Sequence, residues 1–455
     1  MSVQVETLTE ARAARRGSVG EVALLAFPVV IATAAETIMQ VIDTAMVGHL
    51  GATQLGAVGF AGLVIWNCFV LFTGTASGAQ AFVSRYDGAN EQQHCGPWIW
   101  QAFWLVVPGM TVWMFVLAFL FPRIVAFVDP SPEMQREAIA FGWARLLGGP
   151  AVAMSFALLA FFRGIGDTIT PLIVSLIAVA VHLVFAYGLI FGGLGMPAWG
   201  VYGAGAAQSI TSYAYLALLL YAVLRKRVRT RYNTRPVWPR LAEMGRFLRT
   251  SAPIGGQWFL DMTTFAIFAA IVARMGDASA AASQAMLQLL ALSFMQAVAI
   301  STACSTLVGR YIGAGDLDAA ERSYRSGLLL GLVATAFFAI LFLSIPGTLL
   351  RMFNNEPEFL ALGRPLLALG AFFQIVDAMG IIANSALRGA GDTRWPFVVQ
   401  STLAWTLRLA ALWTFAIWLQ GGVFGAWLGE LVYVFALGLA WLFRIRAGHW
   451  RTVRI

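Results

Sequence analysis

The sequence predicts an all-α polytopic membrane protein: twelve transmembrane helices arranged as two pseudo-symmetric six-helix bundles. Three observations carry this. Hydrophobic residues make up 59% of the 455 and charged residues only 11%, against about 25% charged in a soluble chain. Mean hydropathy is +0.76. The apolar residues fall into runs of membrane-crossing length, and the second half of the chain repeats the first.

Taken in order, the runs lie at roughly 22–47, 54–80, 98–121, 138–162, 169–192, 200–223, 248–272, 279–305, 325–347, 361–386, 396–418 and 422–443. Residues 1–20 form a polar tail with Arg12, Arg15 and Arg16, and the run that follows is too long for a signal peptide, so no cleavable signal is expected. Residues 21–224 are read as an N-lobe, 225–247 as a basic linker, 248–445 as a C-lobe and 446–455 as a second tail. Between Arg225 and Arg249 stand nine Lys/Arg against one Glu. With both termini in the cytoplasm, 23 of the 30 Lys/Arg fall inside and five outside, with Arg145 and Arg408 within spans. That bias supports an even number of spans and this orientation. The net charge of +8 therefore reads as topology and contact with anionic membrane lipids, and nucleic acid is not an expected partner.

A shift of 225 residues places Pro28 on Pro253, Glu36 on Asp261, Gly51 on Gly276 and Arg85-Tyr86 on Arg310-Tyr311. It also places Arg163-Gly-Ile-Gly-Asp-Thr168 on Arg388-Gly-Ala-Gly-Asp-Thr393 and Pro171 on Pro396. After a three-residue contraction Gly200-Val-Tyr-Gly-Ala204 meets Gly422-Val-Phe-Gly-Ala426. Each half has an even span count, so the repeat is parallel, and two such halves are expected to enclose a central cleft. The duplicated Arg/Gly/Asp loops are expected to form turns and helix caps, with glycine supplying the unusual backbone angles.

Carboxylates inside spans are the informative exceptions. One at the centre of a bilayer helix costs about 2.5–3.5 kcal/mol even on the lenient scale. Glu36 and Asp43 lie seven residues apart, on nearly one helix face. Glu36 has a repeat partner in Asp261, but Asp43 corresponds to Phe268 and Asp377 to Val152. Acids the scaffold does not need are expected to serve a proton or a cation. Arg145 and Arg408 are read as salt-bridge partners or snorkelling residues, and His182 as a core hydrogen-bonding residue or a proton relay. Glu430 stands opposite Gln208 in the repeat and is read as structural. Cys68, Cys95 and Cys304 have no metal-like spacing; no cofactor and no enzyme activity are expected.

These residues together resemble the multidrug and toxic compound extrusion (MATE) family, in its NorM-like branch. The likeness rests on Asp43-Thr-Ala-Met-Val-Gly48, on Pro253 with Asp261 eight residues on, on Asp377 eleven residues before Arg388, on the duplicated RGxGDT loops and on Gly200–Ala206. It covers essentially the whole chain. The resemblance implies a bacterial inner-membrane antiporter that exports organic, cationic or polyaromatic compounds in exchange for H⁺ or Na⁺, through alternating access of two lobes. It implies ion coupling at Asp43, Asp261 and Asp377, to which Glu36 and His182 are added as ionisable residues inside the spans. The expected substrate contacts are Asp43, Asp261 and Asp377, with Trp258, Phe259, Phe373 and Trp66 as stacking surfaces and Gln284 completing the set. A monomer is expected. The family's two oxygen-bearing positions in span 5 read His182 and Ala186 here. Sodium wants several hard oxygen ligands, so H⁺ is favoured at Asp43, while Na⁺ at Asp261 and Asp377 stays open. The alternative is a lipid-linked precursor flippase of the related superfamily, whose anionic cargo calls for a more basic cavity than this sequence provides.

Overall fold

The computed structural model describes residues 16–453; Arg12, Arg15 and Arg454 lie outside them. The described residues are helical with short connections and no strand. The first ten helices are α1 (Val19–Gly48), α2 (Ala52–Ser77), α3 (Ala79–Gly88), α4 (Cys95–Val128), α5 (Pro132–Leu146), α6 (Gly149–Gly164), α7 (Ile169–Phe191), α8 (Gly200–Leu224), α9 (Lys226–Tyr232) and α10 (Leu241–Ala273). The next six are α11 (Asp277–Gly313), α12 (Leu317–Ser344), α13 (Pro346–Arg351), α14 (Pro357–Gly389), α15 (Arg394–Leu403) and α16 (Leu409–Leu412); α17 is Gly422–Arg446.

Among the described residues ten helical segments are long and apolar enough to cross a membrane, and the pair α5 and α6, bent by 48°, adds one more. The remaining span, eleventh in chain order, runs from Arg394 to Trp418. It is helical throughout, but widens into π-helix at Ala404–Arg408 and again at Trp413–Trp418. Large apolar side chains point outward along the spans, among them Leu24, Phe115, Phe119, Phe337 and Phe443, as they must where lipid replaces water.

The chain forms two compact units, one holding the residues up to Val30 and from Leu260 on, the other Ile31–Phe259. Two helices are thus divided between units. The start of α1 belongs with the C-terminal spans: Val22 and Ala26 are buried in one core with Leu307, Tyr311, Leu387 and Trp441. Tyr311 donates its hydroxyl to Glu21, and Ser326 donates to the Gly17 carbonyl at 2.7 Å. The start of α10 belongs with the N-terminal spans, because Gly255 lies directly against the Leu71 carbonyl and the Thr75 hydroxyl of α2. The linker between α8 and α10 is fastened to α4: Trp100 and Trp104 donate indole N–H groups to the carbonyls of Thr234 and Val237 at 3.1 and 2.9 Å.

Within Ile31–Phe259, α7 packs along α8, α2 along α5, and α4 along α6, around fully buried Phe69, Phe121, Phe141, Phe161 and Phe162. In the other unit α14 is the central post, packed by α11, α12 and α17, with Trp427, Tyr433 and Trp441 buried beside it.

The repeat reaches the backbone. Asn90 and Gly315, 225 residues apart, both take a left-handed turn (φ 64° and 74°), as do Gly166 and Gly391 (75° and 83°). Gly200 and Gly422, 222 apart, have φ 55° and 54°. The duplicated loops do cap helices: the Asp167 carboxylate accepts from the Thr170 N–H at 2.9 Å and its hydroxyl at 2.6 Å, and Asp316 accepts from the Ala319 N–H.

Candidate functional site

Two buried polar centres stand out, one in each unit. The first is built on Asp43 in α1. The Nε2 atom of His182 in α7 lies 2.6 Å from Asp43 Oδ1, and the Gln208 amide in α8 donates to Asp43 Oδ2 at 3.0 Å. Both carboxylate oxygens are engaged. Behind them His182 Nδ1 meets the Thr211 hydroxyl at 3.1 Å. The imidazole side chain is 1% exposed and that of Asp43 12%, so the acid, not the ring, faces the accessible side of this pair. A hydroxyl both donates and accepts. Thr211 therefore satisfies Nδ1 whether that atom carries a proton or not, and His182 can gain or lose one without losing a partner.

Arg145 stands near the same acid. It lies in the last turn of α5, where the span bends, with Nη1 donating to the Ser212 hydroxyl at 3.4 Å and the guanidinium 5.2 Å from the centre of the Phe69 ring. Its charge is close enough to act on Asp43. Gly148 makes room for it: a Cβ there would stand 2.9 Å from Arg145 Nη1. Glu36, two turns earlier in α1, is exposed and close enough to Arg163 to feel its charge.

The second centre is built on Arg408, at the end of the first π-helical stretch. Its Nη1 lies 3.0 Å from Asp261 Oδ1 and donates to the Thr264 hydroxyl at 2.6 Å and the Asp261 carbonyl at 3.2 Å. Its Nη2 donates to Glu430 Oε1 at 2.9 Å. Tyr433 donates to Asp261 Oδ1 at 2.9 Å, and its ring centre lies 4.0 Å from the guanidinium carbon, within cation–π range. Asp377, half-buried on α14, is close enough to feel Asp261, Glu430 and Arg408.

The two centres occupy corresponding places. Gln208 and Thr211 match Glu430 and Tyr433 at the 222-residue shift. For α7 against the eleventh span the shift grows by one. The Trp199 N–H donates to the Leu189 carbonyl at 2.8 Å, and its counterpart, the Gly421 N–H, donates to the Phe415 carbonyl at 3.1 Å. Leu189 and Phe415 are 226 apart, one more than Pro171 and Pro396. A π-helical turn takes up one extra residue, and the 226 shift sets Arg408 opposite His182. The sequence register of 225 pairs His182 with Leu407 and hides this. The roles of Gln208, Thr211 and Thr264 as partners of charged groups were also not read from the sequence; the Gln208/Glu430 exchange was the available signal.

The aromatic candidates are spread out. Trp66 is 44% exposed, with its ring centre 6.4 Å from that of Phe156. Trp258 and Phe259 are half-buried, Trp258 resting against Gly74. Phe373 meets Trp427 edge-on at 5.9 Å. Gln284 is exposed on α11. Among the described residues no group of three or more His, Cys, Asp or Glu is arranged to hold a metal ion.

The MatE family model matches residues 28–188 and again 253–413, one copy per half. The chain belongs to the MATE family. Its relatives include a probable multidrug resistance protein NorM of Thermotoga maritima, 27% identical over 440 residues that cover 94% of this chain and 92% of that one. The NorM protein of Aliivibrio fischeri is 30% identical over 89% of both chains, and PmpM of Pseudomonas aeruginosa is 27% identical over 96% and 93%. Among solved structures, the eukaryotic MATE transporter AtDTX14 superposes with a TM-score of 0.86 at 17% identity, covering 95% and 96% of the two chains. A point mutant of the Vibrio cholerae MATE transporter VcmN gives 0.84 at 17% identity, over 96% and 98%. The fold is the MATE fold, all-helical and polytopic.

Proposed function

We propose that this MATE protein exports organic compounds, cationic or polyaromatic, across a bacterial inner membrane in exchange for protons, and that the Asp43–His182 pair carries the exchanged proton. Membership in a family whose relatives bear multidrug resistance names supports the export. The observation that carries the proton reading is the 2.6 Å contact between Asp43 and an imidazole that keeps a partner in either protonation state. With the pair unprotonated its net charge is −1, and it attracts a cation. One added proton makes it neutral, whichever of the two residues holds it, and the attraction is gone. Proton arrival from outside thus releases the drug, and proton loss to the cytoplasm readies the pair for another. No covalent step is involved, and the protein acts as a transporter and not as an enzyme.

Asp261 and Asp377 serve as further ion-coupling or substrate-facing acids in the other unit, and Glu36 beside Arg163 as a subsidiary one. Trp66, Trp258, Phe259 and Phe373 offer ring faces and Gln284 an amide. A wall of this kind suits substrates that share flatness and charge rather than a fixed shape. Both termini and the basic linker lie in the cytoplasm, as the Lys/Arg distribution supports. The protein works as a monomer of two six-helix lobes, residues 21–224 and 248–445.

The test is drug efflux from proteoliposomes under an imposed ΔpH or an imposed Na⁺ gradient, for wild type and Asp43→Asn. Wild type is expected to respond to ΔpH, with efflux rising as the side opposite the drug is acidified, and Asp43→Asn to lose that response. Undiminished ΔpH-driven efflux in Asp43→Asn would remove Asp43 from the mechanism, and drive by Na⁺ alone would overturn the proton assignment.

A further inference from the structure

Five oxygens converge around Arg408: the Oδ1 and carbonyl oxygens of Asp261, the Thr264 hydroxyl, Glu430 Oε1 and the Tyr433 hydroxyl. The first four lie between 2.6 and 3.2 Å from the guanidinium nitrogens, and the Tyr433 hydroxyl reaches the same carboxylate oxygen of Asp261. Carboxylate, carbonyl and hydroxyl oxygens are the donors a hard monovalent cation selects. Here a cation is already among them, and it is covalently attached to the chain.

We propose that Arg408 is a tethered counter-cation that fills an oxygen cage otherwise fit for sodium, and so makes this MATE protein independent of Na⁺ at Asp261 and Glu430. The proposal rests on the reading of the chain as an ion-coupled exporter and narrows it. Three features of the site support it. Both anionic partners are engaged by the guanidinium itself, at 3.0 and 2.9 Å. The guanidinium side chain is 5% exposed and that of Glu430 2%, so solvent cannot stand in for this pair and neither of its charges can leave without the other, while Asp261 is 24% exposed. The wide π-helical turn Ala404–Arg408 puts this side chain where His182 stands in the other half. The same place in the repeat therefore holds an imidazole in one unit and a permanent charge in the other. Asp377, also near the cluster, makes no ion pair with Arg408 among the described residues.

The cage and its occupant are separable by mutation. Purified full-length wild type, Arg408→Ala and Arg408→Lys are melted in matched NaCl and KCl, and binding of radioactive sodium is measured on the same samples. Arg408→Ala opens the cage and is expected to bind sodium at least about tenfold more tightly than wild type and to gain several degrees in Tm from KCl to NaCl, by mass action. Wild type and Arg408→Lys, which retain a tethered cation, are expected to show neither effect. Equal melting of Arg408→Ala in the two salts, without sodium uptake, would overturn the proposal. Should Arg408→Ala not fold, wild type decides: stoichiometric sodium binding that Asp261→Asn abolishes overturns the proposal, and its absence upholds it. These measurements need neither drug nor ΔpH, so a failure of proton-driven efflux sinks the functional reading while leaving this one to be judged separately.

Discussion

At the scale of single residues, the pair of places held by His182 and Arg408 makes different side chains predictive of different behaviour. Replacing His182 by arginine would put a permanent charge beside Asp43, where the Nε2 atom now stands 2.6 Å from the acid. The carboxylate is then paired with a charge that cannot leave, and His182→Arg is expected to abolish both drug binding at Asp43 and its pH dependence, read by fluorescence titration at several pH values. His182→Gln keeps a donor without a titrating group, so drug should still bind while the pH dependence is lost. Retained pH dependence in His182→Gln would exclude the imidazole from the proton path. The Glu430→Leu change leaves Arg408 with one anionic partner and is expected to lower stability by about 3–5 kcal/mol, the cost of breaking a buried pair, visible as a reduced Tm. The sequence singles out Asp43 as an acid its repeat partner lacks, and the resemblance sets the span-5 position of His182 beside it; the 2.6 Å contact joins the two. Arg408 was ambiguous: nothing in spacing separates a buried salt bridge from a snorkelling arginine, and only its geometry against Asp261, Glu430 and Tyr433 decides.

At the scale of elements, close helix approaches depend on glycines that recur in the repeat. A Cβ on Gly203 would collide with the Leu189 carbonyl, and one on Gly425 with the Phe415 carbonyl. These two contacts hold α8 against α7 and α17 against the eleventh span, and so carry Gln208 and Glu430 to their partners. Valine at either position should force the helices apart, costing about 1–3 kcal/mol as overpacking does. Gly203→Val is expected to weaken pH-dependent drug binding through Asp43, and Gly425→Val to lower Tm through the Arg408 cluster, both measured on purified protein. Span count and loop positions were legible from apolar runs and Gly/Pro punctuation, since lipid demands about twenty apolar residues per crossing. The bend between α5 and α6 was not, because its counterpart α14 is one unbroken helix, and a Gly-Gly-Pro run inside an apolar stretch does not by itself separate a bend from a continuous span. The π-helical widenings were not legible either, as one residue added inside an apolar run changes neither its length class nor its composition.

For the whole molecule, the Lys/Arg bias argues for residues 16–18 and 446–453 on the cytoplasmic face. Arg451→Cys, in a chain whose Cys68, Cys95 and Cys304 have been replaced by alanine, should react with a membrane-impermeant maleimide only after the cells are opened. Labelling of intact cells would invert the topology. The 225–247 linker divides the chain in sequence order. Close packing groups the residues up to Val30 with those from Leu260 on: Glu21 and Val22 are held by Tyr311 and its neighbours, while Gly255 is pressed onto α2. Sequence reasoning assigns a helix to the lobe in which it is numbered; hydrogen bonds and close packing assign each turn of it separately.

The widened turn at Ala404–Arg408 also bears on how the two halves came to differ. One residue inserted into a regular helix rotates everything beyond it by about 100°, which in a bilayer would turn lipid-facing side chains inward and polar ones out. Confining the insertion to a bulge spares the rest of the span that rotation. After duplication, one copy could therefore drift in length as well as in composition, and an ancestral polar position could come to be filled by a neighbour of the original residue. Ancestral sequences aligned without a gap in this span would then mismatch the two histories by one position at the residues that matter most.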